Sequence, residues 1–116
     1  MSDSVLIKIE RDPLFGMTRD EYVERLTRLL AGRVDAAYFF GSFTGVSFNR
    51  FSDIDLILIR ETDTPFPLRA IEFEDVLDLV PSTDILVYTR REFDKLTGPG
   101  AVGFWKSVRE SLHQFI

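Results

Sequence analysis

Two aspartates separated by one residue are the side chains of this sequence best suited to chemistry. Asp53 and Asp55 stand at the start of the apolar run 56–59, which reads Leu-Ile-Leu-Ile. Such short runs are typical of strands, in which residues two apart point to the same face. We expect the two carboxylates to project side by side, about 6–7 Å apart. They would repel each other, and a bound divalent cation such as Mg²⁺ would remove the repulsion.

A Gly-Ser pair upstream of the aspartates adds a candidate site for an anion. Gly41 and Ser42 end the apolar run 36–40, which is a second predicted strand. Glycine lets a backbone approach a ligand closely, and a short helix beginning near Ser42 would point N–H groups at an anion. The sequence therefore predicts a phosphate cradle and metal-binding carboxylates on adjoining segments.

These residues resemble the signature of the DNA polymerase beta-like nucleotidyltransferases. Gly41-Ser42 is followed by ten residues and then by Asp53-Ile54-Asp55, and Asp84 heads a later apolar run, where the family carries its third acidic residue. The resemblance covers roughly residues 18–97, and the short chain is similar to the minimal nucleotidyltransferase branch. The joint match is fairly specific, whereas an Asp-x-Asp alone would be weak.

The resemblance implies an enzyme that transfers a nucleoside monophosphate from an NTP to an acceptor hydroxyl. ATP is the favoured donor, and two Mg²⁺ ions, with Mn²⁺ as a substitute, are the implied cofactors. By the same resemblance Asp53 and Asp55 bridge the metals. The resemblance further implies that Asp84 would hold the catalytic metal and assist deprotonation of the attacking hydroxyl.

The resemblance also assigns a nucleotide-binding role to the loop between the two strands. Gly41 and Ser42 would position the triphosphate through backbone N–H groups and the serine hydroxyl. The family's small-Arg-Gly segment reads Thr-Gly-Val at 44–46, so its arginine is missing here. Arg50 is the nearest cation that could approach a triphosphate, and an ordinary solvated loop position explains Arg50 equally well.

The remaining sequence pattern predicts an α+β (α/β layered) fold, a small mixed sheet with helices packed on it. Capping boxes at Thr18 and Thr89 open predicted helices at 18–31 and 89–96, and apolar spacing predicts a third helix at 68–79. An apolar stripe predicts a last helix running from about 102 to the end of the chain. The predicted strands are 36–40, 52–60 and 82–88, with a possible edge strand at 5–9. The resemblance supplies the more specific name, the nucleotidyltransferase fold.

Length and charge bound the function classes. The 116 residues predict one domain, spanning 1–116, and the absence of Cys excludes disulfides and thiolate metal sites. No apolar run approaches the roughly 18 residues of a membrane span, and a signal peptide is not expected, so we expect a cytoplasmic protein. The net charge of −5 argues against non-specific nucleic-acid binding.

Two alternatives to a self-sufficient enzyme stay open. Minimal nucleotidyltransferases are commonly paired with a helical partner of the HEPN type as the antitoxin of a toxin–antitoxin system. Such a module neutralises its partner with or without nucleotidylating it. Phe104 lies off the apolar stripe of the last predicted helix, which indicates contact with such a partner or with a second copy. The other alternative is a sheet protein whose Gly-Ser and Asp-x-Asp are accidental.

Overall fold

One mixed sheet of four strands organises the chain. The computed structural model describes residues 12–46, 48–49 and 52–116. The strands lie in the order β3-β2-β1-β4, and only β2 and β3 are parallel. They are β1 (Ala36–Phe40), β2 (Ile54–Ile59), β3 (Thr83–Tyr88) and β4 (His113–Gln114). The predicted α+β fold is confirmed, while the possible strand at 5–9 lies outside the described residues.

In the part of the chain that the structure describes, four α-helices and two 3-10 helices connect and cover the strands. The α-helices are α1 (Arg19–Leu30), α2 (Phe66–Arg69), α3 (Arg90–Leu96) and α4 (Gly103–Ser111). The first 3-10 helix (Gly41–Thr44) follows β1, and the second (Ala70–Asp78) continues α2. Among the described residues, no helix is long and apolar enough to cross a membrane.

Both predicted capping boxes are present. The Thr18 hydroxyl accepts the Glu21 N–H at 3.0 Å, and the Glu21 carboxylate accepts the Thr18 N–H at 2.8 Å. Thr89 and Glu92 make the same reciprocal pair at the start of α3. These bonds satisfy N–H groups that a helix cannot pair internally, so each helix begins where its sequence predicts.

The two central strands, β1 and β2, are buried on both faces, which explains why they read as continuous apolar runs. Alternate residues of β1 and β2 enter two separate apolar clusters. The first cluster, under α1 and the second 3-10 helix, contains Phe39, Leu56 and Leu58. The second, under α3 and α4, contains Phe40 and Ile57. The end of the second face, where Phe40 stands, is also the end that carries the candidate site.

The predicted regular helix at 68–79 is wrong in its geometry. A short α-helix turns into a 3-10 helix that is kinked at Phe73, with φ −114° and ψ 21°. At the kink the Arg33 guanidinium donates to the Glu72 carbonyl oxygen at 2.7 Å and to the Asp75 carboxylate at 2.7 Å. Because Arg33 satisfies the Glu72 carbonyl oxygen, this oxygen does not need a hydrogen bond within the helix. The segment can therefore bend and still bury Phe73.

The predicted helix to the end of the chain is also wrong. α4 ends at Ser111, because Leu112 leaves helical geometry with φ −60° and ψ 134°. The following residues pair with the free edge of β1: Phe115 N–H donates to Ala37 O at 3.0 Å. Phe115 therefore does not extend the helical stripe, and its ring stacks on Phe39 with centroids 4.2 Å apart. The edge of β1 presents backbone N–H and C=O groups, and the end of the chain pairs with them.

Candidate metal and nucleotide site

Two of the predicted carboxylates are direct neighbours on the sheet. Asp55 is the second residue of β2, Asp84 is the second residue of β3, and the parallel register pairs them. Neighbouring strands lie about 4.8 Å apart, so the two side chains leave the same face at that spacing. On the other side of Asp55, the antiparallel register pairs it with Phe40. Asp55 is half-buried and Asp84 is exposed.

The position of Asp55 disfavours its charged form. Burial, the negative charges of Asp84 and Asp53, and a hydrogen bond with Asp84 together raise the pKa of the Asp55 carboxyl to about 6. Burial is the largest of these causes. A nearby cation would stabilise the charged form of such a carboxyl.

Asp53 is close enough to act on Asp55 through its charge but is not part of the register pair. β2 begins at Ile54, two residues later than predicted, so Asp53 lies just before the strand and is exposed. Within the described part of the chain, no three carboxylate, histidine or cysteine side chains are arranged to hold a metal ion. The structure brings Asp55 and Asp84 together, and a metal-binding role for all three aspartates stays a prediction.

Gly41 lies directly against the Asp55 carboxylate. Its φ of +72° is in the left-handed region that favours glycine. A Cβ at this position would lie 2.7 Å from Asp55 Oδ2, which is closer than real contacts allow. Glycine is therefore favoured here on two grounds, because another residue would be strained at this backbone angle and its Cβ would displace the Asp55 carboxylate.

The short helix expected to begin near Ser42 is present as the 3-10 helix Gly41–Thr44. The Thr44 hydroxyl donates to the Gly41 carbonyl oxygen at 2.8 Å, and the Gly45 N–H donates to the Ser42 carbonyl oxygen at 3.2 Å. Phe43 is buried and anchors the turn to the first face of the sheet. Ser42 is half-buried and directly follows Gly41 in this turn, and Arg50 lies outside the described residues.

Two side chains of α4 border the site, and the sequence pattern had not assigned either to it. The Ser111 hydroxyl accepts the Gly41 N–H at 3.0 Å. The Phe104 ring meets the Phe40 ring edge to face with centroids 6.1 Å apart. Both contacts join residues far apart in sequence, and no local spacing could have indicated them.

Comparisons with known proteins assign no family to the chain. No family model matches it, and no curated protein matches its sequence. Among solved structures, a chain described as "Crystal structure of the toxin-antitoxin with AMP-PNP" is 16% identical with a TM-score of 0.46. The match covers 84% of this chain and 72% of that one. A likeness at this level carries no argument about the activity or partners of this chain.

Proposed function

We propose that this chain is a metal-dependent nucleotidyltransferase that moves AMP from ATP to an acceptor hydroxyl, breaking the bond between the α- and β-phosphates and releasing pyrophosphate. The observation that supports this best is the in-register pair of the half-buried Asp55 and the exposed Asp84, with Gly41 so close that an added Cβ would lie 2.7 Å from Asp55 Oδ2. Crowded carboxylates beside an open backbone turn suit a metal–triphosphate complex. The resemblance of the Gly-Ser and Asp-x-Asp segments supplies the particular reaction.

The donor set fits Mg²⁺ or Mn²⁺. Both ions prefer carboxylate oxygens, and Mg²⁺ is typically held by one or two carboxylates together with substrate phosphates. Asp55 and Asp84 would hold the metal, with Asp53 completing a second position. When bound, the ions would stabilise charge on the transferring phosphoryl group.

The chain's own residues would orient the nucleotide and handle the proton of the acceptor. Ser42 would contact the triphosphate through its hydroxyl and N–H. Asp84 is the exposed member of the pair and could take the proton of the attacking hydroxyl. Asp55, half-buried between Phe40 and Asp84, would be the fixed ligand. Because such chemistry depends on positioning and charge, no Cys or His nucleophile is needed.

The test is transfer of label from [α-³²P]ATP with Mg²⁺ to the protein, a co-purified partner or a panel of hydroxyl compounds. Asp55→Asn and Asp84→Asn should abolish the labelled product, with activity falling about 100-fold or more. Asp78→Asn is the matched control, because Asp78 is an exposed carboxylate on the second 3-10 helix. Labelling that survives both site variants would contradict the proposal.

A second candidate function is a binding module that neutralises a helical partner of the HEPN type, with or without nucleotidylating it. It is favoured by two apolar side chains at the start of α4, since Val102 is 78% exposed and Phe104 is 57% exposed. Exposed aromatic surface commonly marks an interface with a partner or a second copy. Co-purification of a tagged copy at native level, with light scattering on the pure protein, tests this. A monomer that retrieves no partner yet adenylylates a small molecule by itself would rule it out.

A further inference from the structure

Gly41, the first residue of the 3-10 turn at the candidate site, is hydrogen-bonded to Ser111, the last residue of α4. Gly41 N–H donates to Ser111 Oγ at 3.0 Å, although the two residues are 70 positions apart. The Ser111 hydroxyl also lies 3.1 Å from the Ser107 carbonyl oxygen and 3.3 Å from the Val108 carbonyl oxygen. A serine hydroxyl has one hydrogen, which it donates into its own helix turn, so it serves Gly41 as an acceptor.

Ser111 is held from both sides. Val108, less than one turn earlier, is buried in the second apolar cluster. Two residues after Ser111 the chain enters β4, where His113 pairs with Phe39 of β1. The hydroxyl therefore stands between a packed helix and a paired strand, and it presents a fixed acceptor to the loop.

The orientation of the Gly41 peptide affects both the turn that carries Ser42 and the position of the backbone next to Asp55. Rotation of this peptide changes the φ of +72° and with it the direction in which Ser42 leaves the strand. It also changes the approach of Gly41 to Asp55, where a Cβ would be only 2.7 Å from the carboxylate oxygen. A hydrogen bond that fixes this peptide fixes the cradle and its distance to the carboxylates together.

We propose that Ser111 is a positioning residue for nucleotide binding, acting through Gly41; the inference rests on the proposed function. It assigns to α4 a role in the site that the Gly-Ser and Asp-x-Asp segments do not contain. Without the hydroxyl, the Gly41 peptide would be free to rotate. The Gly41-Ser42 turn would then adopt the conformation that binds the triphosphate only part of the time.

The experiment compares Ser111→Ala with two matched variants. Ser111→Thr keeps a hydroxyl, and Ser107→Ala removes an exposed serine from the same helix. Affinity for a non-hydrolysable ATP analogue with Mg²⁺ is measured by calorimetry at a temperature where circular dichroism shows every variant folded. Ser111→Ala should bind about three- to ten-fold more weakly, the loss expected for one hydrogen bond, and both controls should bind within about two-fold of the wild type.

The possible outcomes separate this inference from the proposed function. A wild-type protein that binds no nucleotide overturns both. A wild type that binds, with Ser111→Ala binding equally well or more tightly, overturns the positioning role alone. Equal weakening in Ser111→Thr would assign the effect to packing and also contradict the role.

In the metal-free protein, the Gly41 amide resonance should shift in Ser111→Ala and stay in place in Ser107→Ala.

Discussion

Asp55 links the chemistry of the site to the stability of the fold. Its pKa is raised by burial and by neighbouring carboxylates to about 6, from an ordinary value of 3.8. Between these two values the folded chain binds more protons than the unfolded chain. Stability from this group is therefore highest below about pH 4. It falls as the pH rises to about 6, and it stays reduced at neutral pH in the absence of metal.

Asp55→Asn should raise the melting temperature at pH 7.5 in metal-free buffer. The amide stays neutral, so the variant avoids the charge repulsion and loses the pH dependence between about pH 4 and 6. We expect a gain of about 1–2 kcal/mol, a discounted figure because the side chain is partly solvated. Thermal unfolding across this pH range measures it. Asp53→Asn, at an exposed position before the strand, should change the melting temperature less. Unfolding of the Asp55 variant would show that the carboxylate is a structural partner.

Gly41→Ala should destabilise the chain by about 1–3 kcal/mol and displace Asp55. Alanine would be strained at the left-handed backbone angle of this position, and its Cβ would lie 2.7 Å from Asp55 Oδ2. Gly45→Ala is the control in the same loop, because a Cβ there meets nothing within 4 Å and the backbone is extended. Urea unfolding of the two variants measures the difference. Equal stability of the two would contradict the close approach.

At the scale of elements, α2 and α3 are joined by a buried cation. The Arg69 guanidinium donates to the Glu92 carboxylate at 2.6 Å, to Thr64 O at 2.7 Å and to Val87 O at 3.2 Å. The hydrogen bond from Arg69 is the largest cause that lowers the pKa of Glu92 to about 2. The resulting stability is present above about pH 4.5 and is lost as the pH falls toward 2.

Arg69→Met should destabilise the chain by about 2–4 kcal/mol, since it leaves two carbonyl oxygens and a carboxylate without this donor. Arg28→Met is the control, because the Arg28–Glu24 pair is 73% and 64% exposed while the Arg69 side chain is 9% exposed. Exposed pairs of this spacing contribute only about 0.3–0.5 kcal/mol. Chemical denaturation of both variants checks the difference, and a neutral Arg69→Met would contradict the role of the buried cation.

Elements with a complete local signal could be predicted, and those decided by distant contacts could not. Thr18 with Glu21, and Thr89 with Glu92, fix two helix starts through hydrogen bonds that span three residues. The kink at Phe73 depends on Arg33, about forty positions away. β4 depends on the free edge of β1. Apolar spacing at the end of the chain is compatible with either a helix or a strand until that edge is known.

The candidate site divides in the same way. The Asp-x-Asp and the later Asp84 were visible in the sequence, and the register of β2 and β3 makes Asp55 and Asp84 neighbours. Which of the two Asp-x-Asp carboxylates is half-buried depends on where β2 begins, which strand propensity locates only to within a few residues. Ser111 reaches Gly41 only through the folded chain.

At the scale of the whole molecule, the charge distribution predicts weak contact with nucleic acid. The net charge is −5, from 14 Lys and Arg against 19 Asp and Glu. Affinity for random duplex DNA requires several cationic contacts to phosphates that displace counterions. A gel shift at about 150 mM salt should show no complex. Micromolar binding under these conditions would contradict the expectation.

The central claim, a metal site built from Asp55 and Asp84 beside Gly41, is tested most directly by Mn²⁺ titration followed by amide NMR. Paramagnetic broadening should appear first at Gly41, Ser42, Asp55 and Asp84, at millimolar Mn²⁺ or below, and ATP should lower the concentration required. The competing acidic surface is the second 3-10 helix, which carries Glu72, Glu74, Asp75 and Asp78. Broadening concentrated on residues 72–78, with Gly41 and Asp84 unaffected, would contradict the account.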